Sequence, residues 1–245
     1  MPCNQNYLRT ASKMLWQENS EDTRYTVPDD IVDISFKIQC QTLPIDHAAT
    51  LKQNISNKLP WINHEPDVGI HSIHGATSGN GWTRPDLDGD QIIHLSRRSR
   101  FYLRVPKDRL QDAITLVGSS LDIDGHSLQV KDYNIKPLNI SSTIFSRSLC
   151  WMNDDVEDEM QLSEGIVSHL SEQGIKVTKL MFGKLHKIRC DTESIQARSI
   201  MIADLSKEDS IYLQQHGLGP HRLLGCGIFL PHKSISAVGS SQDED

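Results

Sequence analysis

Alternating apolar and polar residues mark the strands of this chain, and apolar residues three or four positions apart mark its helices. The alternation from Asp30 to Gln39 predicts a strand, and the helical spacing from Asp46 to about Lys58 predicts a helix. The rest of the first half first predicts a short strand over 68–73, a loop over 75–89 and a long strand or hairpin arm over 92–105. A helix that begins at Pro106 and stops at Gly118 follows. The last predicted element of this half is a hairpin over 121–130 that turns at Asp124 and Gly125.

The second half repeats this order of elements. It predicts a strand over 143–151, a helix over 156–173, strands over 175–190 and 195–204, a helix from the capping residues Ser206 and Asp209 to 215, and a strand over 224–230. Strand, helix, strand, strand, helix, strand is the order of ferredoxin-like and RNA-recognition folds. The sequence therefore predicts an α+β protein with two tandem ferredoxin-like (RRM-like) βαββαβ domains. The predicted ranges are a flexible arm at 1–28, domains at 29–138 and 139–233, and an acidic disordered tail at 234–245.

The composition is typical of a soluble globular protein. Of the 245 residues, 37% are hydrophobic and 23% are charged. No apolar run approaches the roughly 20 residues of a membrane span, and the first residues do not resemble a secretion signal. Five scattered cysteines without a C-x-x-C pair favour a reducing cytoplasm over a disulfide framework or a zinc ribbon. We therefore expect a cytoplasmic protein with no membrane contact, metal or other cofactor.

The net charge of −7 argues against a nucleic-acid-binding protein when taken alone, but the positive charges are clustered. The first basic strip comprises Arg97, Arg98, Arg100, Arg104, Lys107 and Arg109. The second basic strip comprises Lys176, Lys179, Lys184, Lys187 and Arg189. A protein that is acidic overall can still hold a polyanion on such strips. The simpler alternative is that each strip is a solvated surface.

A glycine-rich segment, His216 to Phe229, lies between the capped helix and an apolar run. It combines four glycines, whose backbone amides could approach an anion closely, with two side chains suited to phosphate. These residues are Gly217, Gly219, Gly225, Gly227, His221 and Arg222. The segment lacks the Gly-Lys-Ser/Thr of a Walker loop, and it follows a helix, unlike the dinucleotide fingerprint. Its alternative role is a turn that needs glycine only for backbone geometry.

Histidines are dense around the predicted first helix, and histidine can move protons near neutral pH. Four of the 11 histidines precede the first long loop: His47, His64, His71 and His74. Their spacing matches no common zinc pattern, and no serine or cysteine nucleophile motif accompanies them. For each of them the alternative is a surface residue or a hydrogen-bonded structural residue.

Five segments of the chain together carry a family resemblance. They are Leu43-Pro44-Ile45-Asp46-His47, Leu59-Pro60-Trp61-Ile62-Asn63-His64-Glu65, Gly69-Ile70-His71-Ser72-Ile73, the run Ser96 to Arg100 followed by Leu103-Arg104-Val105-Pro106, and the run from His216 to Pro231. In this order they resemble the CRISPR precursor-RNA processing endoribonucleases of the Cas6 family, MYXAN subtype, in the RAMP superfamily. The resemblance covers about residues 31–231.

This resemblance implies metal-independent cutting of a CRISPR repeat transcript by two RNA-recognition-type domains. In such enzymes the ribose 2′-hydroxyl attacks the adjacent phosphate and leaves a cyclic phosphate and a 5′-hydroxyl. A histidine of the first helix or of the loop after it is the usual acid or base, which points to His64 or His47, with His71 as the third candidate. A basic side chain would stabilise the charge that grows on the phosphate. The candidates are Arg97, Arg98, Arg222 and Lys184.

The implied partners are the CRISPR repeat RNA, its crRNA product and other subunits of a Cascade-type effector complex. We expect the RNA to contact Arg97, Arg98, Arg100, Lys184, Gly217, Gly219, His221, Arg222, Gly225 and Gly227. Because some members of the superfamily lack a competent histidine, a non-catalytic RNA-binding subunit stays an alternative. A paired ferredoxin-like scaffold for proteins or small anions is another, and it predicts no RNA affinity even at low salt.

Overall fold

The computed structural model describes residues 25–75, 91–152, 156–190 and 193–232. The predicted loop over 75–89 lies almost entirely outside the described residues. Most of the predicted arm and all of the predicted tail lie outside them as well.

The first half of the chain forms a sheet with the strand order β3-β5-β1-β7-β6, in which all neighbouring strands are antiparallel. The elements are β1 (Ile31–Gln39), β2 (Thr42–Pro44), α1 (Ala48–Lys58), β3 (Gly69–Ile70), β4 (Ile92–His94), β5 (Arg100–Pro106), α2 (Leu110–Ile114), β6 (Ser120–Ile123) and β7 (His126–Lys136). Strands β2 and β4 pair with each other in a small separate ribbon. Without the hairpin extension β6, the sheet is that of a ferredoxin-like domain.

The second half forms a four-stranded antiparallel sheet with the order β11-β8-β10-β9. Its elements are β8 (Ile144–Leu149), α3 (Glu159–Glu172), β9 (Lys179–Cys190), β10 (Glu193–Ala203), α4 (Lys207–His216) and β11 (Leu230–Pro231). Strand, helix, strand, strand, helix, strand is again the ferredoxin-like order. The predicted fold class is therefore confirmed, whereas the exact domain limits stay predictions.

Local sequence signals explain several of these elements. Leu51 and Ile55 lie one turn apart and are both buried, so they fix the inward face of α1. The Ser206 hydroxyl accepts a hydrogen bond from the Asp209 amide at 3.0 Å and so caps α4, as predicted. Asp124 and Gly125 have φ angles of 51° and 83°, which two-residue hairpins with the favoured twist require.

Three predicted strands differ from the structure. The predicted last strand, over 224–230, is wrong, because a 3₁₀ turn covers Arg222–Leu224 and only Leu230–Pro231 pairs with β8. The predicted arm over 92–105 is two strands in different sheets, separated by a turn at 96–99. Between 68 and 73 only Gly69–Ile70 pairs as a strand. In the first case glycines with positive φ break the extended run, although its apolar composition resembles that of a strand.

Arg104 of β5 connects the first domain to the second and has no exposed surface. Its guanidinium donates two hydrogen bonds of 2.8 Å to the carboxylate of Asp33 on β1. The remaining nitrogen, Nη1, donates to the backbone carbonyls of Gln214 and Phe229 in the second domain. Arg104 is therefore not part of an exposed basic strip. Its guanidinium instead binds acceptors in both domains and connects them.

Arg222 makes the reciprocal connection from the second domain. Its guanidinium donates to the carbonyls of Asp67 (3.0 Å) and Val68 (3.4 Å) in the first domain, and to that of Gln215 (2.9 Å) in its own. Burial and the nearby charge of Arg104 lower the pKa of Arg222 to about 10, so the group is still protonated at neutral pH. Two buried cations thus bind backbone oxygens across the same boundary in opposite directions.

His71 completes the buried network on the side of the first domain. Its Nε2 lies 3.3 Å from Asp33 Oδ1, and because a carboxylate can only accept, Nε2 is the donor in this contact. Burial lowers the pKa of His71, against the attraction of Asp33. Burial alone would raise the pKa of Asp33, but the charge of Arg104 and the contact with His71 hold that pKa well below its usual range.

We expect Arg104→Leu to lower the free energy of unfolding by about 3–5 kcal/mol, because it leaves the Asp33 carboxylate buried without its cation. Denaturant unfolding measures this change. The matched control is Arg109→Leu, since Arg109 makes partly exposed ion pairs with Glu65 and Asp112 and its loss should cost about 0–1 kcal/mol. Equal stability of the two variants would contradict the role given to Arg104.

We expect the protein to lose stability as the pH falls below about 6.5, because unfolded His71 takes up a proton that folded His71 resists. A lowered pKa in the folded state means that the unfolded state binds more protons in this range, so stability rises with pH. His71→Gln keeps a donor for Asp33 and does not titrate. It should reduce the change of the unfolding free energy with pH between about pH 5.5 and about 7.5. His94→Gln, at an exposed position on β4, should not. Identical pH dependence of wild type and His71→Gln would refute the assignment.

Candidate active site between the two domains

A cavity of about 480 Å³ opens where the first domain meets the glycine-rich segment. One wall comes from α1 and the chain that follows it, and the other wall comes from residues 219–224. Its polar and charged wall residues are Lys52, Asn63, His64, Glu65, His221 and Arg222. The cavity therefore brings one of the predicted histidines together with part of the predicted phosphate-binding segment.

His64 is the predicted histidine that the fold leaves available for chemistry. It ends the 3₁₀ turn Pro60–His64, which follows α1 directly and is anchored by the buried Ile62. The His64 side chain is exposed, and within the described ranges no hydrogen bond engages its ring. An imidazole in this setting can accept or donate a proton in a reaction.

Lys52 brings an ammonium group to the same cavity and was not singled out from the sequence. It lies on α1, half-exposed, beside the buried Leu51. The only signal in the sequence was a lysine next to the inward face of a predicted helix, and ordinary surface lysines share that signal. Its value as a candidate comes from the turn at Pro60, which brings His64 back to the helix that carries Lys52.

His47 is buried and has a structural role. Its Nε2 accepts a hydrogen bond from the Ile73 amide at 3.0 Å, so the proton is on Nδ1, which donates to the Pro44 carbonyl at 2.9 Å. Both ring nitrogens thus serve backbone groups that flank the start of α1. His47 and the likewise buried His71 do not line the cavity, so a catalytic role for either stays a prediction that this placement does not support.

The glycine-rich segment is packed tightly between the domains and does not present an open row of amides. The amides of Gly217, Gly225 and Gly227 donate to the carbonyls of Leu213, Arg222 and Ser148. These three amides are therefore engaged within the protein, and the contact with RNA predicted for these glycines stays a prediction that the packing does not support. The cause is close packing: a Cβ at Gly227 would lie 2.0 Å from Leu218 O, so the alternative role in backbone geometry applies.

The other three predicted RNA contacts in the segment all line the cavity, but they differ in exposure. Gly219 lines the cavity, although a Cβ there would lie 2.2 Å from the Cys150 carbonyl. Arg222 borders the cavity with a guanidinium whose Nε and Nη2 donate to three carbonyls, and its predicted contact with phosphate stays a prediction. His221 is exposed on the cavity wall and keeps its predicted access to RNA.

The predicted arginines of the first basic strip lie elsewhere. Arg97 lines a cavity of about 970 Å³ together with Lys37 and Lys131. Arg100 is opposite Lys37 in the sheet and is four residues, roughly 13 Å, along β5 from Arg104 at the domain boundary. The expected meeting of these arginines with the glycine-rich segment therefore does not occur.

Two further predicted basic residues are exposed. Arg98 lies in the turn before β5, next to Arg97. Lys184 lies on β9, the outermost strand of the second sheet. Both are open to solvent, and neither lines the cavity that holds His64.

Two further cavities lie along α1 beside the His64 cavity. A cavity of about 300 Å³ shares Lys52 and Asn63 with it. The next cavity, of about 480 Å³, shares Ala49 with that one and includes Arg189 of β9. Three cavities that share lining residues therefore lie along α1, from His64 to Arg189; we call this row of cavities the α1 groove.

Within the described ranges, no group of three or more His, Cys, Asp or Glu side chains is arranged to hold a metal ion. None of the helices in those ranges has the length and apolar character needed to cross a membrane.

Comparisons with known proteins agree with one another. The sequence model of the Cas6 CRISPR family matches residues 32–234. A CRISPR-associated endonuclease Cas6 from Myxococcus xanthus (strain DK1622) is 27% identical over 209 residues, which cover 85% of this chain and 85% of that protein.

Two solved structures share the fold. The product of a Cas6-related gene from Pyrococcus furiosus aligns with a TM-score of 0.56 and 16% identity over 81% of this chain and 97% of its own. A RAMP protein that binds different RNA substrates aligns with a TM-score of 0.57 and 16% identity over 82% of this chain and 100% of its own. At such identities the likeness shows the shared fold. Since the family match spans both sheets and all four helices, the chain belongs to the Cas6 family.

Proposed function

We propose that this protein is an endoribonuclease that cuts CRISPR repeat RNA in the cytoplasm, without a metal ion, by attack of a ribose 2′-hydroxyl on the adjacent phosphate. Membership of the Cas6 family supports the class of reaction and substrate. The observation that carries the proposal for this chain is the exposed imidazole of His64, which shares an interdomain cavity with the ammonium of Lys52.

The cavity residues fit the demands of this reaction. A proton must leave the 2′-hydroxyl and another must reach the departing 5′-oxygen, and His64 can serve at one of these steps. The phosphate gains negative charge in the transition state, and a preorganised cation beside it lowers the barrier. We assign this second role to Lys52, because Arg222 is committed to carbonyls and the arginines at 97–100 line no part of the cavity.

We further propose that the RNA backbone follows the α1 groove, with Arg189 at its far end. Hairpin RNA is recognised mainly through its phosphates and shape, which suits a groove that has few aromatic side chains. The cavity around Lys37, Arg97 and Lys131 gathers three positive charges and is a second, separate phosphate contact. In this arrangement the overall acidic charge does not prevent binding, because the contacts are local.

We also propose that the protein stays on its crRNA product and joins a Cascade-type effector complex. A net charge of −7 would favour contact with basic subunits of such a complex. Gel filtration of a completed reaction would test the first part, since retained product elutes with the protein and released product elutes alone.

We expect His64→Ala to slow cleavage of a repeat transcript by roughly 100- to 10,000-fold, the usual contribution of a general acid or base. Binding of the RNA should change by less than about threefold, because one exposed imidazole adds little to a contact made mostly by phosphates. Single-turnover cleavage in EDTA and filter binding measure the two quantities. His94→Ala, at an exposed histidine outside the cavity, is the control and should cut normally.

Lys52→Ala is a second, independent test of the proposed active site. It should reduce the cleavage rate by roughly 100-fold or more if the ammonium stabilises the phosphate charge. Lys58→Ala is matched to it, since Lys58 is an exposed lysine on the same helix that does not line the cavity. Tight binding without products by the wild type would support the non-catalytic subunit instead. Absence of RNA affinity at low salt would support the scaffold.

Arg97→Ala should weaken RNA binding without changing the single-turnover rate at saturating protein, because the Arg97 cavity lies away from His64. The slope of log affinity against log salt should fall by about 0.7–0.9 for each phosphate contact removed, so Arg97→Ala/Lys131→Ala should show about twice that change. Lys207→Ala, an exposed lysine at the start of α4, should leave the slope unaltered. An unchanged slope in the double variant would rule out this contact.

A further inference from the structure

His221 has an unusual backbone conformation at the mouth of the cavity. Its φ is 67°, and only Asp124 and Asp204 share positive φ with it among the described non-glycine residues. The conformation has a local purpose, because the His221 carbonyl accepts hydrogen bonds from the amides of Leu224 (2.8 Å) and Cys226 (3.2 Å). This closes the turn that forms one wall of the cavity.

The backbone requirement does not explain the imidazole. Glycine adopts positive φ at lower cost than histidine and would allow the same two hydrogen bonds. The His221 side chain is exposed, and none of the described residues makes a hydrogen bond with its ring. The structure therefore carries a strained residue whose side chain has no structural task, at a position where such strain often accompanies function.

His221 lines the same cavity as His64. The two histidines come from different domains, and the cavity volume of about 480 Å³ is large enough to hold a phosphodiester. The other ionisable groups that face this space are Lys52 from α1, Glu65 from the turn after it, and Arg222 next to His221. Because Lys52 suits charge stabilisation, the two imidazoles are the pair suited to proton transfer at neutral pH.

We propose that His221 is a catalytic residue and the second proton-transfer group, with the role opposite to that of His64. One imidazole accepts the proton of the 2′-hydroxyl as the bond from the 2′-oxygen to phosphorus forms. The other imidazole donates its proton to the 5′-oxygen as the bond from phosphorus to that oxygen breaks. The products are a 2′,3′-cyclic phosphate and a 5′-hydroxyl, and no water or further reactant is consumed. This inference rests on the proposed function.

A substrate with sulfur in place of the 5′-oxygen at the scissile bond tests the pair. A thiolate leaves without help from a general acid, so the variant that lacks the acid should regain its rate on this substrate. We expect His221→Asn and His64→Ala each to cut the normal RNA roughly 100- to 10,000-fold more slowly than the wild type. On the sulfur substrate, one of the two should approach the wild-type rate while the other stays slow.

Asparagine is chosen because it tolerates the positive φ, and equal denaturant midpoints for His221→Asn and wild type would show that the turn is kept. If His221→Asn cuts normal RNA at the wild-type rate, the inference is overturned while the proposed function stands. Rescue of both variants, or of neither, on the sulfur substrate also overturns it. A wild-type protein that binds the RNA and never cuts it overturns the proposed function and this inference together.

Discussion

Arg104 and Arg222 each donate hydrogen bonds to backbone carbonyls of the other domain, and the geometry of the cavity depends on these bonds. Burying a guanidinium costs several kcal/mol unless its donors are satisfied. Here the Asp33 carboxylate and backbone carbonyls from both domains accept hydrogen bonds from Arg104 and from Nε and Nη2 of Arg222, whereas Nη1 of Arg222 is buried without a hydrogen-bond partner among the described residues. Carbonyl acceptors are fixed by the fold around them, so the arginines define one relative orientation of the two sheets, which apolar contact alone would leave less specific.

The hydrogen bonds of Arg222 also set the spacing of the candidate catalytic groups. Arg222 is the residue after His221, and it holds the carbonyls of Asp67 and Val68, three and four residues beyond His64. Each wall of the cavity is therefore tied to the other at a point close to its histidine. A site divided between two domains in this way forms only when both domains are folded.

The sequence predicted local elements well and the glycine-rich segment poorly. Helix α4 and the hairpin of β6 and β7 were readable because Ser206 and the Asp124-Gly125 pair satisfy backbone groups a few residues away. The run from 224 to 230 is not a strand, since Ile228 packs against Gly69 of the other domain, and Gly225 and Gly227 closely approach the backbone carbonyls of Ile70 and Leu218. No local pattern distinguishes such packing from a strand, because the partner atoms lie far away in the sequence.

By itself the sequence determined the ferredoxin-like order of elements, the Cas6 resemblance and a short set of histidines, because these depend on neighbouring residues and on motifs. Only the tertiary structure decided which histidine is available. His47 is held by an amide 26 residues away and His71 by a carboxylate 38 residues away, whereas His64 stays exposed. The tertiary structure also places Lys52 at the cavity and engages Arg104 and Arg222 in hydrogen bonds between the domains. Burial and hydrogen-bond partners are properties of distant contacts, and these arise only when the two domains close on each other.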